Sequence, residues 1–86
     1  MIQFMGGLVH MRTIREIAHE IQLAWEKPYF GAVPYLTAME QLQNSQSRYF
    51  GDDAKTIIAY FLANASTFKG EKAKALKSEL KQHLAK

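Results

Sequence analysis

Apolar residues recur along this chain at intervals of three and four, the spacing of one helical face, in four separate blocks. Ile14, Ile17, Ala18, Ile21, Ala24 and Trp25 form the first, with Arg15, Glu16, His19, Glu20, Gln22 and Glu26 on the opposite face. Thr13 and Glu16 stand at its start in the capping-box pattern: the threonine hydroxyl accepts from the Glu16 amide while the Glu16 carboxylate reaches back. These positions predict a helix over 13–26, stopped by Pro28, which disfavours a helical Lys27. Ala32, Tyr35, Leu36, Met39 and Leu42 predict a second helix over 32–44. Pro34 suits its first turn, where a missing N–H costs nothing. Ala54, Ile57, Ile58, Phe61, Leu62 and Ala65 predict a third over 52–65, opened by Asp52 and Asp53 at the positive end of the helix dipole. Ala73, Leu76, Leu80 and Leu84 predict a fourth over 69–84, with His83 on its margin and Ser66 or Thr67 as its cap.

Strict alternation is absent outside the first ten residues, so no strand is predicted. Polar Asn44–Ser47 reads as a loop. The expected fold is all-α: one small domain over 13–86, its four amphipathic helices packed as a bundle or an orthogonal array. Residues 1–12 read as an N-terminal arm or upstream extension, because Gly6 and Gly7 oppose a helix there.

The tripeptide Tyr-Phe-Gly occurs twice, at 29–31 and 49–51, and Phe68-Lys69-Gly70 is a looser version. The apolar phase after each glycine differs, so this is no internal repeat. The expected role is a joint: an aromatic residue beside a helix start covers the core, and glycine takes the bend. In the first joint Phe30 should be buried, Gly31 should bend, and Pro34 should lie in a first helical turn. The competing reading is an exposed aromatic patch for a partner, with Tyr29, Tyr35 and Tyr60 as its candidate residues.

Composition narrows the picture further. Eighty-six residues allow one domain, and a 48% apolar fraction is that of a folded chain. With no cysteine, disulfide scaffolds, Cys-ligated zinc and thiol catalysis are excluded. No apolar run is long enough to span a membrane, and the first ten residues make a poor signal peptide. A cytoplasmic protein is expected. The net charge of +3 is uneven: residues 69–86 carry +4 and residues 1–68 carry −1. Lys74, Lys77 and Lys81 gather on one flank of the fourth helix, a stripe that could follow phosphates without reading bases. A lysine-rich solvated face is the plainer account of the same stripe.

Catalytic signals are weak. Glu16, His19 and Glu20 share a helical face, but the segment lacks the second histidine of H-E-x-x-H, and an intrahelical Glu–His contact explains it. Asp52 and Asp53 are adjacent and would point about 100° apart on a helix, so they form no catalytic dyad. Ser45, Ser47, Ser66 and Thr67 have no histidine placed to activate them. No phosphate-binding glycine loop is present. A non-enzymatic protein without catalytic, cofactor-binding or metal residues is therefore expected.

The segments KPYFGAVPYLTAM (27–39) and YFLANASTFKGEKAKALKSELK (60–81) resemble a family of short uncharacterised proteins encoded by phages, prophages and other mobile elements of Gram-positive bacteria. The resemblance runs from about Met11 to the end and leaves residues 1–10 outside. It leads one to expect Trp at position 68, where this chain has Phe. The family has no assigned activity, so the resemblance implies a setting and no catalytic residue. Small phage-borne proteins often act by binding host or phage proteins. The expected function is accordingly protein–protein interaction, with an unknown protein partner or a second copy. The alternative is weak, sequence-indifferent nucleic-acid binding through Lys74, Lys77 and Lys81.

Overall fold

The computed structural model describes residues 11–85. Nearly all of the proposed N-terminal arm therefore lies outside the described residues. The rest is mostly helical, with four α-helices and one very short antiparallel pair: α1 (Ile14–Ala24), α2 (Val33–Met39), β1 (Arg48–Tyr49), β2 (Asp52–Asp53), α3 (Ala54–Ala63) and α4 (Glu71–Leu84). Each helix packs on the next in sequence, and α4 closes back on α1. One apolar cluster fills the centre, built from the four predicted faces; Ile14, Ile21, Met39, Ile58, Phe61 and Leu80 are fully buried. No helix among the described residues is long and apolar enough to cross a membrane.

α1 begins as its sequence dictates. Thr13 Oγ1 accepts from the Glu16 amide at 3.0 Å, and the Glu16 carboxylate accepts from the Thr13 amide at 2.9 Å. It ends at Ala24, earlier than Pro28 would require. Trp25 leaves the helical conformation, and its indole stacks on Phe68 (centroids 5.0 Å apart) and meets Phe61 edge-on at 6.2 Å. Aromatic packing, rather than the proline, sets this boundary.

α2 is shorter than the predicted 32–44. A single 3₁₀ turn, Phe30–Ala32, leads into it, and Pro34 sits in its first turn as expected. Beyond Met39 the chain tightens into turns of the i+3 type, with Gln41 N bonded to Ala38 O and Leu42 N to Met39 O. This turns the Leu42 and Gln43 carbonyls towards the start of α1. They accept from the Arg15 and Ile14 amides at 3.0 and 2.9 Å. Two donors that a helix start leaves unpaired are thus satisfied by the tail of α2.

The second Tyr-Phe-Gly does not lead directly into a helix. It makes a β-hairpin turn that the sequence pattern gives no alternation to predict. Arg48 pairs with Asp53 and Tyr49 with Asp52, around Phe50 and Gly51, which both have positive φ (53° and 95°). That is the signature of a two-residue type I′ turn, whose twist matches the strands it joins. Asp52 consequently lies in β2, and only Asp53 caps α3, accepting from the Thr56 amide at 2.9 Å. α3 then runs to Ala63.

α4 starts at Glu71 with Gly70 at its N-cap, at φ 108° and without a side-chain cap. Ser66 and Thr67 are too far upstream to cap it, which corrects that expectation. His83 is buried, not marginal. Its Nε2 lies 2.8 Å from the Arg12 carbonyl and donates to it, tying the end of α4 to the residue before Thr13.

Candidate functional site

The described surface carries two kinds of polar and aromatic grouping. The first is an ion-pair seam between α1 and α4. Arg12 forks onto Glu79 through Nε (2.8 Å) and a terminal nitrogen (2.7 Å), and bonds Glu20 at 2.6 Å. Lys72 reaches the other Glu20 oxygen at 2.9 Å. Hydrogen bonds from Lys72 and Arg12 hold the Glu20 carboxyl below its ordinary range, and those that Arg12 donates to Glu79 and Glu20 raise its guanidinium above its own. Glu20 is therefore spent on two cations, and Glu16 on the α1 cap. Of the candidate metal trio, Glu16 and Glu20 have these structural roles, and His19 is exposed on α1.

The lysine flank is reduced in the same way. Lys74 and Lys81 are exposed on α4. Lys77 instead folds back: Nζ donates to the Phe68 carbonyl at 2.7 Å and sits 5.8 Å from the centroid of the Phe68 ring. Partial burial, followed by repulsion from Lys81 and Lys69, pushes its amine below the ordinary lysine range. The three lysines share a helix, but one of them stabilises the loop that carries Phe68.

The second grouping is aromatic and lies on the α2–hairpin–α3 side. Tyr35 on α2 and Tyr60 on α3 face each other with ring centroids 5.6 Å apart, tilted by 33°. Together with Tyr49 of β1, Pro34, Asp52 and Ile57 they line a groove of about 260 Å³. From Tyr49 the surface continues to Phe50, whose ring meets the tyrosine at 4.6 Å. In the other direction Asn64 bonds the Tyr60 carbonyl through Nδ2 at 2.8 Å and approaches Gly31. Tyr29 lies over Gly31 so closely that a Cβ there would come within 2.5 Å of the ring. Phe30 packs on Tyr29 at 4.9 Å. The Tyr35–Tyr60 pair thus lies between the two Tyr-Phe-Gly segments, joined to the second through Tyr49 at the groove and to the first through Asn64 and Gly31; the three ring pairs together are termed an aromatic band.

This overturns the joint reading of Phe30. Its side chain is 79% exposed, and Ala32 takes the buried position. In a turn of three residues, positions 30 and 32 cannot both face inward. Phe50 is 92% exposed, so the second segment covers no core with its phenylalanine either. Only the third segment behaves as a core cover, with Phe68 buried against Trp25. Of the sequence candidates for a partner surface, Tyr35 and Tyr60 are in direct contact, and Tyr29 joins them through Gly31 and Asn64. Phe30, Tyr49 and Phe50 were not among those candidates. The signal that could have found them was the recurrence of Tyr-Phe-Gly itself, since two adjacent rings before a glycine cannot both turn inward at a tight turn.

Comparison with known proteins finds no matching protein family, no matching curated protein and no matching solved structure.

Proposed function

We propose that the protein is a small interaction module that binds another protein through the aromatic band on its α2–hairpin–α3 face. The observation that carries this is Phe50. A bulky side chain at φ 53° occupies a position where Asn or Gly would be easier, and it contributes almost none of its ring to the core. A local rule broken without a gain in core burial marks a position used for something other than folding. Phe30, also largely exposed, stands at the other end of the same band. The groups on offer are rings and hydroxyls, which suit binding rather than catalysis. The resemblance of 27–39 and 60–81 to short phage and mobile-element proteins supports the same reading and a cytoplasmic setting. In this reading the four packed helices serve as a rigid frame for the band.

The test compares wild type with a Phe30→Ser, Phe50→Ser double variant by size-exclusion chromatography and by affinity capture from a bacterial lysate. Wild type should self-associate or retain a partner, and the double variant should do neither while its melting temperature holds. Equal behaviour of the two overturns the proposal. A DNA and RNA gel shift across a salt series, with Lys74, Lys77 and Lys81 changed to Glu, tests the nucleic-acid alternative. A shift that survives the phenylalanine changes and disappears with the lysine changes would favour that alternative.

A further inference from the structure

We infer that the segment bound in the band is a proline-rich stretch in polyproline II conformation that carries an arginine or lysine. This rests on the interaction reading above and adds the chemistry of the partner.

The groove is floored by aromatic rings and by Pro34, with Asp52 as its one charged lining residue among those described. None of the hydroxyls of Tyr35, Tyr49 and Tyr60 has a hydrogen-bond partner among the described residues, and the Asp52 carboxylate has no ion pair there. The site therefore offers flat apolar surface, unused hydroxyl donors and one unpaired negative charge. A polyproline II chain presents the complement. Its pyrrolidine rings lie flat on aromatic faces, and its backbone carbonyls have no internal partners. It is already extended, so little conformational freedom is lost on docking. The unpaired carboxylate selects a cation beside the prolines.

Other occupants fit less well. Strand addition needs a free edge several residues long, whereas β1 and β2 are two residues each. Nucleic acid would set its phosphates against Asp52 and Asp53 with the lysine flank on a different helix.

The probe is a short synthetic polyproline peptide ending in arginine, titrated into the full-length protein and followed by NMR of the tyrosine rings. Its controls are a glutamate-ended counterpart and one with alanine in place of proline. The arginine peptide should move the ring signals of Tyr35, Tyr49 and Tyr60, and the alanine peptide should bind about tenfold more weakly. Asp52→Asn should remove a preference of about fivefold for arginine over glutamate. Tyr35→Phe, which keeps the ring and loses only the hydroxyl, should weaken binding without lowering the melting temperature. Ring signals that stay put, or respond equally to the alanine peptide, overturn the inference. Panning a random-peptide display library on the protein separates this failure from that of the broader reading. Selected segments that lack proline but need Tyr60 would overturn the polyproline assignment and leave the interaction module standing. Concentration-dependent shifts of the same rings without peptide would assign the band to a second copy, which also overturns it.

Discussion

The α1–α4 side and the α2–hairpin–α3 side use similar residue types to opposite ends. On the first, Arg12, Glu20, Glu79 and Lys72 satisfy one another, His83 is bonded to a backbone carbonyl, and Trp25 is covered by Phe61 and Phe68. On the second, Phe30 and Phe50 face outward, the Tyr35, Tyr49 and Tyr60 hydroxyls have no hydrogen-bond partner among the described residues, and the Asp52 carboxylate has no ion pair there. A polar group that serves the fold finds its partner inside the chain, because leaving it unpaired in a buried setting costs free energy. Groups left open at the surface are free to meet something else. Aromatic content alone does not distinguish the two sides; what distinguishes them is whether each ring and each polar atom is already engaged.

The largest expected break in this contrast comes from the two aromatic classes themselves. Trp25→Ala should lower unfolding free energy by about 3–5 kcal/mol, since it opens a cavity beside Phe61 and Phe68. Phe30→Ala should change it by less than about 0.5 kcal/mol. Urea titrations of both variants measure the difference, and equal losses would erase the distinction. Next is Arg12→Met, which should cost about 1 kcal/mol and cost less as salt rises, because the seam is partly exposed.

A substitution in the opposite direction sharpens the comparison. Phe50→Asn should raise stability by up to about 1 kcal/mol, as Asn accepts positive φ more readily, while it removes one end of the band. A thermal melt that falls instead would show that the Phe50 ring contributes to folding after all. A smaller effect is expected from pH. The Glu20 and Asp53 carboxyls are held below their ordinary ranges, Glu20 by Lys72 and Arg12 and Asp53 chiefly by the Thr56 amide. A depressed folded-state pKa adds stability that is complete above the unfolded value and lost as pH falls through the folded one. Melting temperature should thus hold above about pH 5 and decline below about pH 4. Glu20→Gln should flatten part of that decline. Smallest is Gly31→Ala, whose Cβ would meet the far edge of the half-exposed Tyr29 ring. The ring can swing away, so stability should barely move, while the Tyr29 NMR signals shift.

The helices were legible because their faces are periodic and their starts are chemically marked. Thr13 with Glu16, and Asp53 before Ala54, act where the sequence places them. What was not legible depended on distant contacts. Trp25 leaves α1 early for Phe68, forty-three positions away along the chain, and no local rule contains that stack. The hairpin was hidden because strands of two residues show no alternation, and because Phe-Gly is not a residue pair that announces a type I′ turn. At the band, Tyr35 and Tyr60, which helical spacing puts on the flanks of two helices, are in ring contact. For the phenylalanines beside them, the general tendency of such residues to be buried predicts a core position, and two tight turns override it.

The carbonyls of Leu42 and Gln43 that complete the start of α1 also link two segments in time as well as in space. The Ile14 and Arg15 amides keep their partners only while the turns after α2 are intact. Fluctuations that release those turns must expose both amides to solvent together with the amides of Gln41 and Leu42 themselves. Hydrogen–deuterium exchange should then report the head of α1 and the tail of α2 as one opening unit with a shared protection factor, although nearly thirty residues separate them in the chain.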